Sequence, residues 1–239
     1  MRTAFIRTLG QLAQQDPGLL LLTGDLGYRL FDDFRAQYPG QYLNMGVAES
    51  NMVSVSAGLA LEGKRPFVYS IASFLTMRPY EHIRNDICFH KARVVLVAAG
   101  GGFSYGANGA SHHALTDIAL MRVLPEMNVF APADVHETVW SVKTAYEQAG
   151  PSYIRLGRGA EPAVHAGALE GKDIRQGIVL REGDELAILA SGFILPQACR
   201  VADELAKRGH SVRLISFPLI KPLGTGLVVK AFEECSRVF

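Results

Sequence analysis

Apolar residues in this chain fall into short solid runs set between longer stretches of helical spacing. Leu19-Leu20-Leu21-Leu22-Thr23-Gly24-Asp25 is apolar until its last three positions. That is the pattern of a strand buried on both faces, with a polar carboxyl end free for chemistry. Residues 65–70, 92–99, 128–131 and 152–156 repeat it, and 42–45 is a shorter version. Between them, residues 3–15, 30–38, 78–88, 113–121 and 135–149 have helical periodicity. Strands alternating with helices predict a parallel sheet with helices on both faces. Residues 157–173, rich in Gly, Ala, Glu and Pro, read as a linker. A second alternation follows: strand 186–190, helix 196–208, strand 211–216, helix 228–234, and a further strand opening at Arg237-Val238-Phe239. Roughly 65 residues are few for an independent doubly wound domain, so this second unit reads as incomplete.

One helix departs from the amphipathic pattern. Met45-Gly46-Val47-Ala48-Glu49-Ser50-Asn51-Met52 and the residues through Ala60 are small or apolar on nearly every side, with one carboxylate, Glu49, in the first turn. A helix apolar all round is normally buried, and a buried carboxylate needs a partner. Either Glu49 faces water or something inside the protein requires it.

Charge narrows the function classes. Lys and Arg total 24 against 23 Asp and Glu, a formal charge of +1. That balance gives no electrostatic case for nucleic acid or an anionic membrane. Cys88, Cys199 and Cys235 are far apart, without metal-ligand spacing. No apolar run is long enough to span a bilayer, and the first residues lead into an amphipathic helix rather than a signal peptide. The expectation is a soluble cytoplasmic protein.

Three motifs then occur in order, each after a strand: Gly46-Val47-Ala48-Glu49-Ser50-Asn51-Met52, Ala72-Ser73-Phe74-Leu75, and Gly106-Ala107-Asn108-Gly109-Ala110-Ser111-His112-His113. Together they resemble the pyrimidine-binding domain of thiamine-diphosphate enzymes of the transketolase group. The resemblance implies an α/β fold, with a parallel-sheet pyrimidine-binding domain over residues 1–165, a linker over 166–174, and part of a transketolase C-terminal α/β domain over 175–239. It implies that Glu49 hydrogen-bonds the cofactor's aminopyrimidine ring nitrogen and so makes the exocyclic nitrogen basic toward the thiazolium C2 proton. A carboxyl held away from water suits such proton sharing near neutral pH. Phe74 matches the aromatic that stacks on the aminopyrimidine, although alone it would read as core packing. Tyr69 and Tyr80 lie nearby without a reason to choose between them. His112 matches a histidine that contacts the donor near the reacting carbon, and His113 stands beside it as a second candidate proton carrier. Asn108 falls where many sugar transketolases have Asp, which changes the expected substrate contacts. Asp25 matches an acidic residue at the active-site mouth and reads equally as a turn residue. Arg158 matches an arginine that grips the substrate's anionic tail.

The other half of such a site is missing. Relatives hold the diphosphate through Mg²⁺ with Gly-Asp-Gly and a later Asn. Gly24-Asp25-Leu26 and Gly183-Asp184-Glu185 do not match that motif. The resemblance therefore implies one subunit of a split transketolase, an α2β2 heterotetramer whose partner subunit carries the diphosphate-binding domain and most of the Mg²⁺ site. The Glu49 helix would lie at the interface, with Glu49 partly wet until the partner closes over it. The expected reaction is transfer of a two-carbon ketol unit from a ketose, phosphorylated or otherwise anionic, to an aldose. The alternatives are the β subunit of a 2-oxo acid dehydrogenase-type enzyme or a deoxyxylulose-phosphate-synthase-like enzyme. A non-catalytic assembly subunit fits less well, because Glu49, Phe74 and His112 occur together. Gly102-Phe103-Ser104-Tyr105-Gly106 also matches the serine-hydrolase elbow. That elbow needs a helix directly after Ser104, where the sequence reads as loop, and His136, His165 and His210 offer no supported triad partner.

Overall fold

Alternating side chains on the strands build two apolar cores, one on each face of a central sheet. A computed structural model describes residues 1–239 except Ala160, Glu170 and Lys172. The chain runs α1 (Arg2–Gln15), β1 (Leu19–Thr23), α2 (Asp32–Gln37), β2 (Tyr42–Asn44), α3 (Glu49–Leu61), β3 (Arg65–Ile71), α4 (Ala72–Met77), α5 (Tyr80–His82) and β4 (Val95–Ala99). It continues through α6 (Asp117–Val123), β5 (Asn128–Phe130), α7 (Val135–Glu147), β6 (Ser152–Leu156), β7 (Ile178–Arg181) and β8 (Leu186–Ala190). The last elements are α8 (Leu195–Lys207), β9 (Val212–Ser216), β10 (Leu219–Lys221), α9 (Thr225–Glu234) and β11 (Arg237–Val238).

The large sheet has the order β10-β5-β6-β4-β3-β1-β2. Its strands are parallel except β10, which runs antiparallel to β5. Leu19, Leu21, Phe67, Tyr69, Val95 and Val97 point into one core with Phe5 and Leu9 of α1 and Trp140 of α7. Leu20, Leu22, Val68, Leu96 and Ala98 point into the other, with Met52, Val53 and Ala57 of α3 and Leu75 of α4. The second sheet has the order β11-β8-β9-β7, with β7 antiparallel to β9. The two units are tied together by polar contacts as well as by β10. Buried Glu137 accepts hydrogen bonds from Ser216 Oγ at 2.6 Å and from the Ala133 N–H at 2.7 Å.

The expected parallel sheet with helices on both faces is present, with local differences. The helix expected over 78–88 is a short α5 followed by a π-helical turn, Ile83–Cys88. Pro79, which lacks an N–H, sits immediately before α5 rather than inside it. The helix expected at 113–121 starts only at Asp117, because residues before it are held in the preceding loop. Strands β7 and β10 have no counterpart in the sequence pattern. The first is half-exposed at all four positions, and the second is three residues long. Neither leaves a two-residue periodicity to read.

Burial in the first core pushes the Tyr69 phenol up to about 12, against an opposing attraction from Arg2. An unfolded tyrosine ionises near pH 10, so this contribution to stability is intact below about pH 10 and is lost as pH rises toward 12. Denaturant midpoints should fall across that window, and fall less in Tyr69→Phe. Equal falls in both proteins would remove Tyr69 from the account.

Candidate active site

Glu49 is the first residue of α3, and the chain turns sharply into it. Gly46, with φ 70°, takes a left-handed conformation that favours glycine. This turn drops Glu49 at the carboxyl ends of β1 and β3, the edge of a parallel sheet where ligands bind. Its side chain is about 1% exposed. One carboxylate oxygen accepts a hydrogen bond from Arg78 Nη1 at 2.8 Å, and the other accepts one from Ser70 Oγ at 3.2 Å. The expectation of a partly wet Glu49 is therefore corrected. A guanidinium 29 positions away in sequence supplies the partner that a buried carboxylate requires. The helix itself is buried on one face only: Met52, Val53, Ser56 and Ala57 face the core, whereas Asn51, Gly58 and Leu61 are exposed.

Phe74, half-buried on α4, lies beside Glu49's partner. The Arg78 guanidinium sits over the Phe74 ring, 4.3 Å from its centroid. On another side, the His112 ring meets Phe74 edge-on at 4.9 Å. His112 also approaches the Tyr105 ring at 5.4 Å, and Arg158 lies over Tyr105 at 4.6 Å. Glu49, Arg78, Phe74, His112, Tyr105 and Arg158 thus form one continuous strip of contacts. Ser111 Oγ lies 3.1 Å from His112 Nδ1, leaving Nε2 as the ring nitrogen without that contact.

The other expected site residues lie off this strip. His113 Nε2 is 2.9 Å from the Gly106 carbonyl and its ring packs edge-on against Phe103, so it braces its own loop. Asn108 is exposed in a 3-10 turn, Gly106–Asn108. Asp25 is exposed, with φ 55°, and accepts a hydrogen bond from Asn44 Nδ2 at 2.8 Å. Asn44 Oδ1 in turn accepts from the Gly46 N–H at 3.0 Å, linking the end of β1 to the turn that places Glu49. Tyr69 points into the core opposite α3, away from Ser70 and Glu49. Ser104 Oγ donates to the Gly101 carbonyl at 2.7 Å, and a 3-10 turn follows it rather than the helix an elbow requires.

The loop bearing His112 is held from below. Gly102 and Ala114 exchange backbone hydrogen bonds at 2.8 and 3.0 Å, closing the loop into a bridge. Ser73 Oγ donates to the Ser111 carbonyl at 2.9 Å, and Arg155 Nη2 to the Ala114 carbonyl at 3.1 Å. Arg155 Nε and the Tyr153 hydroxyl both donate to one oxygen of Asp117, at 2.8 and 2.7 Å. Burial, then the Asp117 charge, pushes the Tyr153 phenol far up. Gly101 is required here, because a Cβ would fall 2.3 Å from Arg155 Nε.

Sequence inspection missed Arg78, Ser70 and this Asp117–Arg155–Tyr153 cluster. A signal existed for Arg78: it follows Phe74 by four residues, the spacing that places two side chains on one helix face.

Glu49 and Phe74 thus share one neighbour, the flat, hydrogen-bond-donating guanidinium of Arg78. Among the described residues, no group of three or more His, Cys, Asp or Glu could hold a metal ion.

Comparison with known proteins gives two family matches. Residues 1–162 match the transketolase pyrimidine-binding domain, and residues 175–239 match the transketolase C-terminal domain. The chain belongs to the transketolase family. It is 34% identical over 238 residues to one subunit of the apulose-4-phosphate transketolase of Phocaeicola vulgatus, covering 99% of this chain and 76% of that one. It is 35% identical over 222 residues to 1-deoxy-D-xylulose-5-phosphate synthase of Desulforudis audaxviator, covering 92% of this chain but 34% of the synthase. Among solved structures, a split-gene transketolase described as an inactive beta4 tetramer superposes with a TM-score of 0.89 and 37% identity, over 99% of this chain and 77% of that one. The transketolase expectation drawn from the three motifs is borne out. Among the described residues, no helix is long and apolar enough to cross a membrane.

Proposed function

We propose that this transketolase-family chain is the pyrimidine-domain subunit of a split, cytoplasmic enzyme, and that it works as an α2β2 heterotetramer with a subunit that binds the diphosphate and Mg²⁺. The observation that carries this reading is a buried carboxylate, Glu49, joined to an aromatic ring, Phe74, through the one guanidinium of Arg78 that contacts both. Thiamine diphosphate, when bound, supplies the nucleophilic carbon that accepts a two-carbon unit from a ketose and passes it to an aldose. Glu49 would hold or give up a proton at the pyrimidine nitrogen, and Phe74 would fix the ring's plane. His112, in contact with Phe74, would move protons among the substrate's hydroxyls. His113 and Asn108 would act on the sugar through the loop they stabilise or expose, and Asp25 would line the mouth. Arg158 would bind the anionic tail and orient the chain of hydroxyls.

The reconstituted pair of subunits should cleave a ketose phosphate in the presence of an aldose acceptor. Decarboxylation of a 2-oxo acid without ketol transfer would redirect the assignment to the dehydrogenase-type alternative. Within the ketose reading, Arg158→Ala should raise KM for a phosphorylated donor by about 10- to 100-fold, the range expected for one charge-assisted fork, with kcat little changed. An equal KM for phosphorylated and unphosphorylated donors in the parent enzyme would remove this role.

A further inference from the structure

Arg78 makes both contacts that the proposed function assigns to the aminopyrimidine ring. It donates to the Glu49 carboxylate at 2.8 Å and lays a flat cation over the Phe74 ring at 4.3 Å. The two partners differ in freedom. The Glu49 side chain is 1% exposed, whereas the Arg78 side chain is 48% exposed. Glu49 is buried at the start of α3, whereas the half-exposed Arg78 guanidinium can rotate into water. Its backbone need not follow, because Ser50 Oγ of α3 donates to the Arg78 carbonyl at 3.3 Å and Pro79 is buried beside it.

We propose that Arg78 is a displaceable occupant of the pyrimidine slot: it satisfies Glu49 and covers Phe74, and it swings out when thiamine diphosphate enters. The inference rests on the proposed role of Glu49 and Phe74. The swing satisfies both ends. A buried carboxylate is costly without a partner, so Arg78 keeps Glu49 folded inward and aligned. A half-exposed guanidinium is easily rehydrated, so the pair opens at modest cost. The exchange replaces the guanidinium N–H with a proton taken up from water and shared between the Glu49 carboxyl and the pyrimidine ring nitrogen, so the carboxylate is never left bare.

The test is calorimetric titration of thiamine diphosphate, at saturating Mg²⁺, into this chain assembled with its diphosphate-binding partner. Arg78→Met removes the competitor and should tighten binding about tenfold, the scale of one lost charge-assisted hydrogen bond. Arg78→Gln, which is polar but shorter and uncharged, should shift binding in the same direction if the Met variant assembles poorly. In a Glu49→Gln background, Arg78→Met should gain much less. Unchanged or weaker binding in the Arg78 variants would overturn the proposal. Exchange of the bound cofactor's C2 proton, followed by NMR after quenching, separates this from failure of the underlying reading. Slowed exchange in Glu49→Gln together with no tightening in Arg78→Met would sink the displacement idea alone. Unchanged exchange in Glu49→Gln would sink the assignment of Glu49 as well.

Discussion

Glu49→Gln is expected to lower ketol transfer in the assembled enzyme by about 10²- to 10⁴-fold, the range for loss of a positioned acid–base group. Gln keeps the side chain's shape and one oxygen to accept from Ser70 or Arg78, which now donate to the carboxylate. It loses the charge and the ability to hold a proton. Stability should change little, because the weakened partner, Arg78, is half-exposed and solvent screens such a pair. The diagnostic result is therefore a dissociation of effects: an intact fold by denaturant unfolding, and turnover nearly abolished. Loss of both together would show that Glu49 is structural. Unchanged turnover would leave the carboxylate without a catalytic part.

Asp117→Ala should produce the largest loss of stability, about 3–5 kcal/mol, because it removes one partner from a buried ionic cluster. Asp117 is fully buried, and one of its oxygens accepts from both Arg155 and Tyr153. Its other oxygen has no hydrogen-bond partner among the described residues. The intact cluster therefore contributes little net stability, since desolvation of the charges offsets their attraction. Removing Asp117 alone leaves a guanidinium and a phenol facing an apolar interior. The effect should reach the active site, because Arg155 also holds the Ala114 carbonyl at the base of the His112 loop. Urea unfolding would show the lower midpoint. A variant with unchanged midpoint would mean that the cluster is already relaxed into water.

The sheet was legible because its strands are solid apolar runs ending in polar residues, and their order with the intervening helices left few topologies. The family was legible because three motifs stand at the ends of consecutive structural steps. The surroundings of Glu49 were not. Its burial depends on Arg78, far away in sequence, and Arg78 reads locally only as the start of a helix over 78–88. The late start of α6 was hidden for a related reason. His113-Ala114-Leu115 has helical composition, but Ala114 is committed to a bridge with Gly102. Strand β10 was invisible because three residues carry no period, and because it pairs with the sheet of the other unit. In each case a non-local contact overrode a local preference.

Mixing the two subunits tests the central claim most directly. This chain alone and the diphosphate-binding partner alone should each fail to transfer a ketol unit, and their mixture with thiamine diphosphate and Mg²⁺ should transfer it. Full transfer by this chain alone, without the partner, would contradict the account of Glu49, Phe74 and His112 as one half of a shared active site.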